Sequence, residues 1–523
     1  MSKCPDYALA DPAGWIIGES DPQSSTILFH NLITPRTGMY VVAETMEGCV
    51  LGVIEKVQSG NILLGEKTRD VEEIESLTSY PDVRDRIYRY GYIRWISLLR
   101  PLVEKGLVQN PSMPVDPMTE VYIAGKEALV KVFKSESRNW IRLGSLTSQR
   151  DVEFNINVNK LTRHLAILAV TGGGKSNTVC VLSNRIVGGL GGTMVIFDIH
   201  GEYAAAEKDI APGRTRVKAP KINPMVLNFS ELRRLARIPE KAHNQERILR
   251  EAWKNLMEKI SSGAEPAVVK GKSFIERLKG EARLAANRTG NKDSLPGVLN
   301  RLDDILDLYG DVLDESVPTD LDSYIEPGYL NIIDLSSVDE FGADAVVSHY
   351  LRRLLDERKR LKITGKGYPV PVLVVIEEAH VLIPRDGSTL TKYWAGRIAR
   401  EGRKFGVGLI LVSQRPKNVD QDVLSQTNNK IILRIVEPND KRYVQAASEQ
   451  MSEDLLSLLS SLNPGEAIVL GSMTKIPAMV KIDLCPVKTG GVDIDLVQEW
   501  SKYKPKTLEE KEKEVLEELR DLY

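Results

Sequence analysis

The sequence has few cysteines. Its 523 residues contain four, Cys4, Cys49, Cys180 and Cys485, scattered and without CxxC spacing. That excludes a zinc ribbon, argues against a disulfide framework and makes a reducing cytoplasm the expected setting. Long apolar runs are missing, and the start, MSKCPDYALADP, has no apolar signal core, so no membrane association is expected. There is also no dominant charge: 70 Lys and Arg face 72 Asp and Glu, for a net −2. A basic field over the whole surface is excluded, so any nucleic-acid contact needs a local concentration of cations. No GxGxxG fingerprint follows a strand, HExxH is absent, and nothing resembles a nucleophile elbow.

What is present is ordinary globular composition, 42% apolar and 27% charged, with length for two or three domains. Residues 1–147 read as a small β-barrel domain. Strand-like runs occur at 14–17, 26–29, 40–42, 50–54, 121–123 and 129–132, with a helix-like segment around Arg69–Glu104. Residues 148–490 read as α/β. Buried-strand candidates at 165–170, 194–198, 329–335, 370–376, 408–413, 430–435 and 467–471 alternate with helical patterns. A helical insertion is expected over about 230–310, where Ile248, Leu249, Ala252, Trp253, Leu256, Met257 and Ile260 share a face. Residues 491–523 read as a C-terminal helical brace, with Thr507 and Glu510 forming a capping box.

The segment AVTGGGKSNT, Ala169–Thr178, joins a buried strand to a helix. Gly172, Gly173 and Gly174 let the backbone approach phosphate oxygens, and the N–H groups of the turn and of the helix start converge on one point. Lys175 would reach the β- and γ-phosphates and Ser176 would hold Mg2+. Ala169 stands where GxxxxGK[ST] has glycine. A second buried strand ends in Glu377 and Glu378. Glu377 would bind the metal through water, and Glu378 would orient the attacking water. Asp198, Glu202 and Gln414 follow strands on the same sheet edge: Gln414 would sense the γ-phosphate, while the first two would support metal or water, or shape a loop. The chemistry on offer is phosphoryl transfer to water.

Arg397, Arg400 and Arg403 recur every three residues, and one of them could reach the nucleotide of an adjacent subunit. Arg403 is the first choice, Arg400 the second and Arg163 a third. Two other basic clusters, Lys208/Arg214/Arg216/Lys218/Lys221 and Arg358/Lys359/Arg360/Lys362/Lys366, read as solvated surface or as phosphate-contacting groups, the first of them on a loop.

These motifs together resemble the HerA branch of the HerA/FtsK translocases. The resemblance rests on TRHLAI, GGGKSNT, DIHGEY (198–203), IEEAH, REGRKFG (400–406), SQRP (413–416) and LSQTNN (424–429), in the family's order over about residues 150–480. It implies a RecA-like P-loop core behind a HAS-like barrel, closing into a homohexamer that threads double-stranded DNA and pumps it with ATP and Mg2+. It also implies a NurA-like nuclease partner in DNA end resection for recombination repair. Residues Gly172 to Asn177 would bind the nucleotide, Ser176 and Glu377 the metal, and Glu378, Gln414 and Arg403 would serve turnover. The competing readings are a secretion-type ring ATPase that moves protein and a nucleotide-gated DNA clamp.

Overall fold

The computed structural model describes residues 4–61, 87–239, 241–269, 273–448 and 451–486, with isolated positions 71, 74, 75 and 496. The expected C-terminal brace, with Thr507 and Glu510, lies outside the described residues.

Six antiparallel strands form a closed barrel: β1 (Ala8–Ser20), β2 (Ser24–Phe29), β3 (Tyr40–Thr45), β4 (Gly48–Asn61), β5 (Ile87–Leu98) and β6 (Glu120–Ala124), in the order β1-β2-β5-β4-β3-β6. Closure leaves no free edge. Two readings are corrected here. The second half of the helix-like segment is strand β5, whose alternating Gly91, Ile93 and Trp95 are buried in the barrel; a short helix, Leu99–Lys105, follows it. The run 129–132 belongs to the helix Lys126–Phe133, because Ala128, Leu129, Val132 and Phe133 bury one helical face. A four-residue apolar run fits either period.

The second body is an eleven-stranded sheet of order β11-β12-β10-β13-β14-β9-β15-β16-β17-β7-β8. Its strands are β7 (Trp140–Leu146), β8 (Glu153–Asn157), β9 (Leu165–Leu168), β10 (Met194–Asp198), β11 (Thr215–Lys218), β12 (Leu330–Asp334), β13 (Val372–Ile376), β14 (Val407–Ser413), β15 (Asn429–Ile432), β16 (Glu466–Leu470) and β17 (Ala478–Ile482). From β11 to β15 all pairings are parallel; from β15 to β8 they are antiparallel. β9 and β13 are buried at every residue, as strands covered on both faces must be. Tyr40, Val42 and Leu51 of the barrel share an apolar cluster with Leu146, Ala478 and Val480 of the sheet, so the two bodies pack directly.

The insertion comprises the helices Phe229–Leu235, His243–Ser261, Phe274–Thr289 and Leu295–Tyr309. Capping boxes start two of them, Asn228 with Glu231 and Ser273 with Glu276. The stripe Ile248, Leu249, Ala252 and Leu256 is buried in the core shared by these helices and the sheet.

The cysteines also correct the sequence reading. Cys4 pairs with Cys49 and Cys180 with Cys485, across 45 and 305 residues. Tertiary topology, not local spacing, brings them together. Among the described residues no helix is long and apolar enough to cross a membrane.

Candidate active site

β9 runs into the glycine turn, and the helix Lys175–Ser183 leaves it. Gly172 and Gly174 take left-handed backbone, φ 72° and 106°, which glycine adopts without strain. Gly173 serves another purpose: a Cβ there would lie 2.9 Å from the Ala169 methyl. The space vacated by Gly173 therefore accommodates the alanine at the motif's first position. The cleft beyond has a volume of about 400 Å³, and Lys175, Ser176, Glu377, Glu378 and Gln414 all line it. Asn177 lines it as well, but its amide is engaged elsewhere, donating to Asp483 O at 2.9 Å and accepting from Cys485 N at 2.8 Å. What Asn177 offers the cleft is left to its backbone.

β13 carries Glu377 and Glu378 to the C-terminal edge of the parallel strands, beside the cradle. Burial pushes the Glu377 carboxyl up to about 7, reinforced by the charges of Glu378 and Glu202 and opposed by Lys175 and by a hydrogen bond. That bond comes from the fully buried Tyr203 hydroxyl. Glu378 sits in left-handed backbone at φ 44°, a conformation that costs a non-glycine residue roughly 1–3 kcal/mol and clusters at functional sites. Burial opposes its ionisation, but His380, Lys175 and His200 outweigh this and hold its carboxyl below the usual range. His380 Nδ1 lies 3.1 Å from Glu378 Oε2. That buried oxygen has no hydrogen-bond donor among the described residues.

Ser176 Oγ donates to Glu202 Oε2 at 2.9 Å, and Thr171 Oγ1 donates to Gln414 Oε1 at 2.6 Å. Asp198 is spent on backbone: it accepts from the N–H groups of Glu202, Tyr203 and Ala204 at 3.2, 2.9 and 2.9 Å, shaping the loop that brings Tyr203 to Glu377. Ser176 and Glu377 are the groups that could hold a metal. Mg2+ fits such a site because it keeps several waters and takes its other ligands from substrate phosphates.

The arginines lie elsewhere. Arg163 precedes β9, and Arg403 sits in the turn before β14. Arg400 ends the helix Leu390–Glu401, where His164 Nε2 meets Ala399 O at 3.1 Å. All three stand at the N-terminal edge of the parallel strands, opposite the cradle. Arg400 and Arg403 are exposed. Arg397 is held by Glu401 at 3.2 Å and lies over Trp394.

Among the described residues five of the ten residues in the two basic clusters are paired with acids. Arg216 and Lys218 stand on the edge strand β11 rather than a loop and pair with Glu326; Lys221 pairs with Asp314. Lys359 pairs with Glu401 and Arg360 with Glu357, while Arg358 binds the carbonyls of Phe405 and Tyr368. Sequence reasoning assigned no role to Tyr203 or to His380 as a neighbour of Glu378. The signal available for Tyr203 was a tyrosine at the end of a short loop after a buried strand, whose hydroxyl needs a partner if buried.

Comparison with known proteins agrees with this geometry. The family described as the central domain of helicase HerA matches residues 141–354, and the HerA-like C-terminal family matches 352–488. The DNA double-strand break repair helicase HerA of Sulfurisphaera tokodaii is 42% identical over 496 residues, covering 94% of this chain and 97% of that one. Its counterpart in Saccharolobus solfataricus is 41% identical over 494 residues, covering 94% and 95%. Among solved structures, VirB4 of Thermoanaerobacter pseudethanolicus is similar in fold, with TM-score 0.51 and 16% identity, over 68% of this chain and 99% of that one. The fold is thus a RecA-like P-loop core with a helical insertion, preceded by a barrel, and the chain belongs to the HerA helicase family.

Proposed function

We propose that this chain is a ring-forming ATPase that translocates on double-stranded DNA, acting as a homohexamer in the cytoplasm with a NurA-like nuclease in DNA end resection. One observation carries the reading: the cleft and the candidate arginines occupy opposite edges of one sheet. β14 contributes seven residues between Arg403 and Gln414. At about 3.3 Å per residue, that is a separation near 23 Å, beyond the reach of an arginine side chain. If one of these arginines serves turnover, it acts on the cleft of a neighbouring copy, and hydrolysis is then tied to a seam between subunits.

In this mechanism the cradle N–H groups and Lys175 bind the ATP phosphates, and Ser176 and Glu377 hold Mg2+. Bound Mg2+ supplies charge neutralisation on the phosphate oxygens. Tyr203 fixes the Glu377 carboxylate. Glu378, ionised and lining the cleft, orients the attacking water and polarises it. Gln414, held by Thr171, is placed to sense the γ-phosphate. The trans arginine, Arg403 first, offsets charge that builds at transfer. The names of the curated relatives support DNA as the threaded polymer. The test is the ATPase rate with and without duplex DNA, measured alongside particle mass. A rate that DNA leaves unchanged favours a protein-moving ring; a protein that stays a lone chain with ATP and duplex present refutes the seam.

A further inference from the structure

The helical insertion forms a second cleft, of about 500 Å³, away from the nucleotide site. Four arginines line it: Arg233, Arg234, Arg237 and Arg250. Their acid partners are three. Glu246 serves both Arg233 at 3.0 Å and Arg250 at 2.6 Å, Asp344 serves Arg234 at 2.8 Å, and Asp339 serves Arg237. Two of these acids are shared with other donors. Asp344 also caps Leu390 N and Thr391 N, and Asp339 also accepts from Gly342 N and the Tyr309 hydroxyl. Each guanidinium carries five N–H groups, so donors far outnumber acceptors. Arg233 and Arg234 meet their acids through Nε, at 3.0 and 2.8 Å, so their Nη groups are not taken up by these acids; the buried Nε of Arg237 makes no hydrogen bond among the described residues.

The guanidinium planes are also held in place. Arg250 lies 4.0 Å over Phe229, and Arg234 and Arg237 each lie 4.7 Å over Phe341. Stacked guanidinium groups with free donors suit the oxygens of a phosphate. The cleft also takes in the start of the helix Leu390–Glu401, whose N-terminus adds partial positive charge. Its wall is bonded to the catalytic strand end: Thr389 Oγ1 donates to Leu382 O at 2.6 Å, and Leu382 ends the short helix that starts beside Glu378.

We infer that this arginine cleft binds the backbone phosphates of duplex DNA. The inference rests on the translocase reading and names a contact surface for it. In this cleft four guanidinium groups share three acids, two of which also serve other donors.

The test compares duplex binding across salt concentrations for wild type, the Arg233→Gln/Arg250→Gln double variant and Ser230→Glu. Ser230 is exposed, lines the cleft and sits in a helix first turn, where a carboxylate favours folding. Both variants should bind duplex about tenfold or more weakly at 0.15 M salt. The double variant should lower the slope of log K against log salt by about 1.8, roughly 0.9 for each phosphate no longer neutralised. If wild type binds duplex and both variants match its affinity and slope, the inference is overturned. It is also overturned if inorganic phosphate raises the unfolding midpoint of wild type alone while duplex binding is equal in all three, since the cleft then takes free phosphate. If wild type binds no duplex, the translocase reading itself fails, and the wild-type arm alone shows it.

Discussion

Mixing two inactive chains should restore turnover. Arg403→Ala leaves the cleft intact but removes the group offered to the neighbour. Glu378→Gln disables the cleft but leaves Arg403, on the opposite sheet edge, in place. Loss of a trans arginine costs about 10³–10⁵ in rate in the strongest cases, so each parent alone should be nearly silent. In a ring assembled at random from equal amounts, a given seam joins an intact cleft to an intact arginine about one time in four if both chains assemble alike. Turnover of up to about a quarter of wild type is then expected, at least a hundredfold above either parent. If Arg403 acted within its own chain, no seam would recover. The assay is steady-state phosphate release from rings shown by tagged purification to contain both chains. No recovery in such rings refutes Arg403 as the trans group. Repeating the mixture with Arg400→Ala and Arg163→Ala distinguishes the three candidates, since all of them share the same edge.

Three further outcomes follow from the site and its supports. Lys175→Ala should abolish ATP turnover while leaving the urea unfolding midpoint close to wild type, and turnover at the parental rate would mean the cradle is misassigned. Tyr203→Phe removes the hydrogen bond that the buried Glu377 carboxyl accepts; a bond to a charged group is worth about 1.5–3 kcal/mol, so the Mg2+ needed for half-maximal turnover should rise roughly 10- to 150-fold. His164 gives a pH signature: burial pushes its pKa from 6.5 down to about 4, against the pull of Ala399 O. The unfolded chain binds that proton where the folded chain does not, so stability is lost as pH falls from 6.5 toward 4, by up to about 3 kcal/mol. His164→Gln should flatten this part of the urea midpoint against pH curve, and an identical slope would refute the assignment.

Much of the site was legible because its signals are local. Strand, glycine turn and helix follow one another at 165–183, and the non-alternating strand 372–376 delivers its carboxylates directly. The Ala169 departure was legible only as a smallest side chain fitting at a strand end; the room for it is the missing side chain of Gly173. β5 was misread because its Tyr and Arg residues face outward and obscure the alternation. β7 and β8 were not anticipated; they form a local hairpin, which joins the sheet through β17, more than three hundred residues later. Tyr203 and His164 act through contacts that only the folded sheet creates. Part of the basic clusters looked free because Glu326, Asp314 and Glu401, which pair with Arg216, Lys218, Lys221 and Lys359, are distant in sequence.

The Cys180–Cys485 bond joins the helix of the nucleotide cradle to the residue three positions beyond β17. Everything between them, including the insertion, Glu377, Glu378 and the strands that follow, is threaded on a closed covalent circle. A protease that nicks the chain anywhere inside that circle opens it without releasing a fragment. Nicked protein would run as one band on a denaturing gel until a thiol is added, and then fall into two.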